Sequence, residues 1–166
     1  CSTKWIDKTD TARQSVEKWN QEPVTLNTID ANGVKELSKN DTKNLRLINV
    51  WATWCGPCVA ELPELVILNR MYRGRNFEFV TISADDPDKK EQAFKFLKEK
   101  HVAATNYLFN SDDKDALADA LDKQWQGPLP HTVLVAPGGK VIYRHTGALD
   151  MLELKQAIVG YLGRTY

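Results

Sequence analysis

Leu45-Arg46-Leu47-Ile48-Asn49-Val50-Trp51-Ala52-Thr53-Trp54-Cys55-Gly56-Pro57-Cys58 is the stretch that decides how this chain folds. Leu45 to Trp51 is apolar and β-rich, as a strand covered on both faces must be. Ala52 to Cys55 reads as a strand-to-helix turn. A helix follows from about Pro57, because a proline in the first turn lacks a donor that has no partner there anyway. Val59, Leu62, Leu65, Val66 and Met71 give that helix an apolar face. Pro63 is expected to kink it, since its ring removes a backbone donor and crowds the preceding turn.

The same pattern repeats outward. Residues 1–22 read as a polar N-terminal extension or tether, with a weak helical pattern through Ala12, Val16 and Trp19; residues 23–166 read as the folded domain. Within the domain, Val24 to Ile29 alternates like a short strand, Asp30 to Lys39 suits a helix, and residues 40–44 form a polar turn. Downstream, Phe77 to Ser83 and Thr105 to Phe109 read as strands. Asp86 with Pro87 predicts a capped helix running to about Lys100, with Phe94 and Leu97 inward. Ser111 predicts the cap of another helix, carrying Leu117, Ala120 and Leu121 inward. His131 to Ala136 and Lys140 to His145 flank Pro137-Gly138-Gly139, a hairpin signal. Asp150 and Glu153 are spaced as a capping box for a last helix through Leu154, Ile158 and Tyr161. Strands alternating with helices, then a hairpin, predict a three-layer α/β/α sandwich around a mixed sheet.

Composition narrows the function. The chain has 166 residues, 22 Lys+Arg against 22 Asp+Glu, and three cysteines. One domain of this size buries roughly 70% of its unfolded surface and needs no disulfide framework. The charges are balanced in both halves, which argues against a nucleic-acid partner and against electrostatic docking to anionic lipid. The longest aliphatic run, Leu65 to Leu68, is far short of a membrane span.

Cys55 and Cys58 therefore stand out. Two intervening residues let the sulfurs meet in the first helical turn. Cys55 sits where unpaired N–H groups and the positive dipole end stabilise a thiolate, so it is the expected nucleophile. Cys58, one turn in, is the expected resolving thiol. The chemistry is thiol–disulfide exchange through a mixed disulfide. The competing reading is half of a structural zinc site, completed from Cys1, His101, His131 and His145. It lacks a second Cys pair or paired-His spacing, so no metal and no cofactor are expected.

At these residues the sequence resembles the thioredoxin fold, and more narrowly the TlpA/ResA-like thiol–disulfide oxidoreductases of bacterial envelopes. The resemblance runs from about Val24 to Leu162. It is carried by Leu47 to Cys58, by Val59-Ala60-Glu61-Leu62-Pro63, and by Pro128-Leu129-Pro130-His131-Thr132 with the strand that follows. It implies a cis Leu129–Pro130 bond facing the cysteines, with Pro128 the competing candidate. It implies that the Leu129 backbone pairs with substrate as an added strand would. It places a Glu beneath the dithiol at Glu61, as a proton shuttle for Cys58. Asn49 stands where thioredoxin has a buried Asp, and Asn takes no proton. Trp54 is expected as an apolar rim beside the sulfur, with Gly56 and Pro57 exposed at the contact surface, and Trp51 as sheet core. His131 is a candidate for tuning Cys55, with a spectator role as the alternative. The segment between Ser83 and Gln126 is longer than thioredoxin needs and reads as a helical insertion.

The resemblance also implies partners: oxidised, disulfide-containing envelope proteins and an upstream thiol protein that donates electrons. Cys1-Ser2 followed by a polar run matches a processed lipoprotein, so Cys1 is a candidate lipid anchor in the periplasm or cell envelope, or a boundary within a longer polypeptide. The reducing direction comes from the resemblance, because potentials of such motifs span roughly −270 to −120 mV. The alternatives are a thiol peroxidase-type redoxin, with Thr53 near its cysteine, and a thioredoxin-fold binding module of a larger protein.

Overall fold

The computed structural model describes residues 21–163. Residues 1–20 of the extension, with Cys1 and the pattern through Trp19, fall outside the described residues. Among these, six strands form one sheet: β1 (Asn27–Ile29), β2 (Leu45–Trp51), β3 (Phe77–Ser83), β4 (Thr105–Phe109), β5 (His131–Val135) and β6 (Val141–Thr146). Their order across the sheet is β1-β4-β3-β2-β5-β6. The first four in that order run parallel, and β5 and β6 are antiparallel to their neighbours. The helices are α1 (Ala31–Lys39), α2 (Gly56–Tyr72), α3 (Lys90–Glu99), α4 (Lys114–Leu121) and α5 (Met151–Leu162). This is the thioredoxin-like α/β architecture with a mixed sheet.

The two-residue period of the strands builds two cores. Leu45, Leu47 and Trp51 of β2 point to one face, with Phe77, Phe79 and Leu134. They pack against α2, α3 and α5 through Leu62, Leu65, Leu97, Leu154 and Ile158. Ile48, Val50, Val80, Ile82, Val133 and Val135 point to the other, against Val34 of α1 and Leu117 and Leu121 of α4. β2 is buried along its whole length, as its composition requires of a central strand.

Pro63 lies inside α2, which is one helix from Gly56 to Tyr72. Several local expectations need correction. Asp86 caps nothing with its side chain: Pro87–Lys89 is a single 3₁₀ turn, and α3 starts only at Lys90. The cap of α4 is Asp113, whose carboxylate accepts from the Ala116 N–H, while the Ser111 hydroxyl accepts from the Asp113 N–H. Met71 and Tyr161 are exposed: the buried face of α2 runs through Leu68 and Tyr72, and that of α5 through Leu154 and Ile158. At the β5–β6 turn Gly139 has φ +97°, and a Cβ there would meet the Lys39 carbonyl at 3.2 Å, so position and backbone both demand glycine.

Candidate redox site at the start of the second helix

α2 begins at the C-terminal end of central strand β2, where parallel sheets gather their sites. Cys55 is its N-cap, in extended conformation, and its Sγ accepts from the Cys58 N–H at 3.3 Å. A sulfur in this position takes up one of the orphan donors of the first turn. Cys55 and Cys58 are joined as a disulfide with their Cα atoms 5.3 Å apart. Cys55 keeps a small exposed fraction, 6%, and Cys58 has none, so an incoming group reaches Cys55 first. Gly56 and Pro57 are exposed, and Trp54 stands 68% exposed beside them.

The loop before Cys55 is held by a residue that sequence reasoning passed over. Asp85, buried just past the end of β3, accepts from the Thr53 N–H at 3.2 Å and from the Thr53 hydroxyl at 2.7 Å. It also accepts from the Ser83 hydroxyl at 2.6 Å. The signal available was its place: an acid at the carboxyl end of the strand next to β2 lies beside the β2–α2 turn.

Glu61 lies three residues beyond Cys58 and therefore on the same helix face. It is buried, and burial pushes its carboxyl above the ordinary range despite two donors. Those donors are the Leu149 N–H at 3.1 Å and the Asn49 side-chain amide at 3.3 Å. The Asn49 amide also donates to the Thr132 hydroxyl at 3.0 Å, directly across the β2–β5 pair. The Asn49 Oδ1 is buried without a protein partner among the described residues. The carboxyl thus sits in an amide and hydroxyl network, with both of its oxygens accepting a hydrogen bond.

The Leu129–Pro130 peptide is cis, with Pro130 buried and Leu129 half-buried. Neither the N–H nor the C=O of Leu129 has a hydrogen-bond partner among the described residues. Pro128 lends its carbonyl to the Trp125 indole N–H at 2.8 Å. His131 occupies the sheet face opposite Glu61. Its Nε2 is 3.0 Å from an Asp122 oxygen and its Nδ1 is 2.8 Å from the Thr146 hydroxyl. Both ring nitrogens are engaged away from the cysteines, and burial holds its pKa below the ordinary histidine value. Burial alone raises Asp122, but Arg144, His131 and the Gln124 N–H together bring it below the usual carboxylate range. Trp125 stacks on the His131 ring, centroids 4.6 Å apart and nearly parallel at 3°.

No cluster of three or more His, Cys, Asp or Glu side chains that could hold a metal ion occurs among the described residues. Nor is any helix there long and apolar enough to cross a membrane.

Known proteins resemble this chain in sequence and fold. The chain is 27% identical over 150 residues to the thiol-disulfide oxidoreductase ResA of Oceanobacillus iheyensis, covering 90% of this chain and 66% of that protein. It is 31% identical over 121 residues to ResA of Bacillus subtilis, covering 72% of this chain and 63% of that one. The chain thus spans a little under two thirds of the length of these relatives. A thiol:disulfide interchange protein of the thioredoxin family from Chlorobium tepidum superposes with a TM-score of 0.60 at 20% identity, over 73% of this chain and 81% of that one, which shows a shared fold. The Redoxin family model matches residues 18–158, nearly the whole described domain, and the chain belongs to that family.

Proposed function

We propose that this protein is a thiol–disulfide oxidoreductase that reduces disulfides in envelope proteins through Cys55 and Cys58. The observation that carries the reading is the Cys55–Cys58 disulfide, closed at a helix N-terminus with its outer sulfur on Cys55 and a buried carboxyl one turn below. The relatives named thiol-disulfide oxidoreductase support it.

In the reduced protein the N–H groups of the first turn of α2 stabilise the Cys55 thiolate. The thiolate attacks one sulfur of the substrate disulfide. The other sulfur leaves and takes a proton. Cys58 then attacks Cys55 in the mixed disulfide, giving its own proton to Glu61, whose raised pKa suits it to that exchange. The second substrate thiol departs. Two electrons have moved from the dithiol to the substrate, and the closed disulfide seen here is the oxidised product. An upstream thiol protein must reduce it before the next cycle. The unpaired N–H and C=O of Leu129 give the substrate backbone a short strand to pair with, and Trp54, Gly56, Pro57 and Pro130 complete the contact surface. We assign the protein to the periplasm or cell envelope.

Insulin reduction tests the activity. The wild type should reduce insulin with dithiothreitol as donor, Cys55→Ser should not, and Cys58→Ser should accumulate mixed disulfides through Cys55. Peroxide consumption faster than insulin reduction would replace this reading with a peroxidase. The Thr53 hydroxyl donates to Asp85, and nothing else in the site favours that alternative.

A further inference from the structure

The two hydrogen-bond donors of Glu61 both lead toward one residue on the edge strand, His145. The Leu149 N–H that donates to Glu61 Oε2 at 3.1 Å belongs to the Ala148–Leu149 peptide. The carbonyl oxygen of that same peptide accepts from His145 Nε2 at 2.8 Å. Asn49, Thr132 and His145 stand opposite one another in the registers of β2, β5 and β6, so they share one row on one face of the sheet. We propose that His145 is a positioning residue for the exchange reaction: through the Ala148–Leu149 peptide it holds the Glu61 carboxyl in the charged form that accepts the Cys58 proton. The inference rests on the oxidoreductase reading and adds the residue that readies its proton acceptor.

Three observations support it. The first is bond direction. A carbonyl oxygen only accepts, so His145 Nε2 carries a hydrogen and a further proton enters at Nδ1. That proton makes the ring a cation and its bond to Ala148 charge-assisted. A carbonyl drawn by a cation makes the N–H of its own peptide a stronger donor, which favours the charged form of Glu61. The second is charge. Burial acts most strongly on Glu61 and raises it; the Leu149 N–H, the Asn49 amide and the His145 cation oppose burial, and Glu64 on the same helix adds to it. Tyr143 of β6 stacks on the His145 ring with centroids 6.4 Å apart. Burial, with Glu153, Asp150 and Glu61, holds its phenol above the ordinary value, so it stays neutral. Across the sheet, His145 works with burial and Arg144 against a charge on His131. The third is position. β6 is an edge strand and His145 is half-buried, so its ring exchanges protons with solvent, whereas Glu61 is buried.

The test uses reduced full-length protein and Ellman's disulfide. Cys55 attacks it, forming a mixed disulfide and releasing one aryl thiolate. Cys58 then gives its proton to Glu61, attacks the Cys55 sulfur and releases the second aryl thiolate, leaving the Cys55–Cys58 disulfide. The second release is followed from pH 5 to 9. In wild type it should slow toward acid as Glu61 takes up a proton. His145→Gln, which keeps a donor but no charge, should slow it about threefold on that acid limb, the size of a half-exposed charge interaction, and leave the alkaline rate and the first release unchanged. His145→Lys, which keeps a cationic donor, should restore the wild-type profile. In the oxidised proteins, the carbon-13 signal of the Glu61 carboxyl, identified by its loss in Glu61→Gln, should titrate at higher pH in His145→Gln than in wild type. Superposed profiles, or equal slowing at every pH, overturn the proposal, the latter showing a merely structural role. An unmoved Glu61 midpoint overturns it whatever the rates do. A moved midpoint in a wild type that reduces neither insulin nor Ellman's disulfide keeps the coupling of the two side chains but overturns the oxidoreductase reading, and with it the part of His145 in exchange.

Discussion

Glu61 is a carboxyl in a setting that favours its neutral form, and it neighbours Cys58 on one helix face. If it takes the proton of Cys58, Glu61→Gln should slow resolution of the mixed disulfide on the order of 100-fold near neutral pH, the lower range for a positioned acid–base group. Alkylation of Cys55 should change little, because Cys55 owes its reactivity to the helix terminus. Stopped-flow resolution rates equal to wild type across pH 6–9 would remove Glu61 from the mechanism. Asp85 makes a different prediction. Asp85→Ala strands the Thr53 N–H and the Ser83 hydroxyl, so it should lower stability by about 1–3 kcal/mol in urea unfolding. Asp85→Asn, which keeps an acceptor, should recover part of that loss.

At the scale of elements, the sheet-facing strands were the most legible part of the sequence. β2, β3 and β4 begin and end where apolar runs meet turn residues, because a central strand must be apolar on both faces. Helix starts were less legible. Ser111 and Asp113 both suit a cap, and only the approach of the Ala116 N–H chooses between them. The cysteine pair was readable from spacing, whereas Asn49 with Thr132 was not, since 83 residues separate them and only the β2–β5 register joins them. Asp85, Asp122 and Trp125 were missed for the same reason: tertiary contacts place them. The N-terminus of α5 offers a test. Asp150 accepts from the N–H groups of Leu152 and Glu153, and the residue before it, Leu149, donates to Glu61. Asp150→Ala should cost about 1 kcal/mol of stability. By freeing the first turn it should also slow resolution of the mixed disulfide, a kinetic effect that a distant cap such as Asp113→Ala should not share.

For the whole molecule, the two faces of the sheet hold buried groups that pull stability in opposite directions with pH. On one face Glu61 has a folded pKa above its unfolded value, so the folded state holds that proton more tightly. Its effect on stability becomes unfavourable as pH rises from the ordinary carboxylate range through the raised value. On the other face Asp122 is lowered, so its contribution is complete above the ordinary carboxylate range and is lost as pH falls through its folded value. His131 is also lowered. Its burial in neutral form costs nothing above about pH 6.5 and weakens the fold increasingly as pH falls below that ordinary value. Glu61→Gln removes the first effect alone. Its stability relative to wild type should therefore climb as pH rises from the ordinary carboxylate range through the raised value, since well below that range both side chains are neutral. Arg144→Ala acts on the other face. It leaves the Asp122 carboxylate without its strongest charged donor, so it should cost about 1.5–3 kcal/mol at pH 8. That cost should shrink toward acid, where the carboxylate takes up a proton. Urea unfolding of the oxidised wild type and both variants across this range gives the two slopes. Parallel curves for Glu61→Gln and wild type would show that burial does not raise the Glu61 carboxyl.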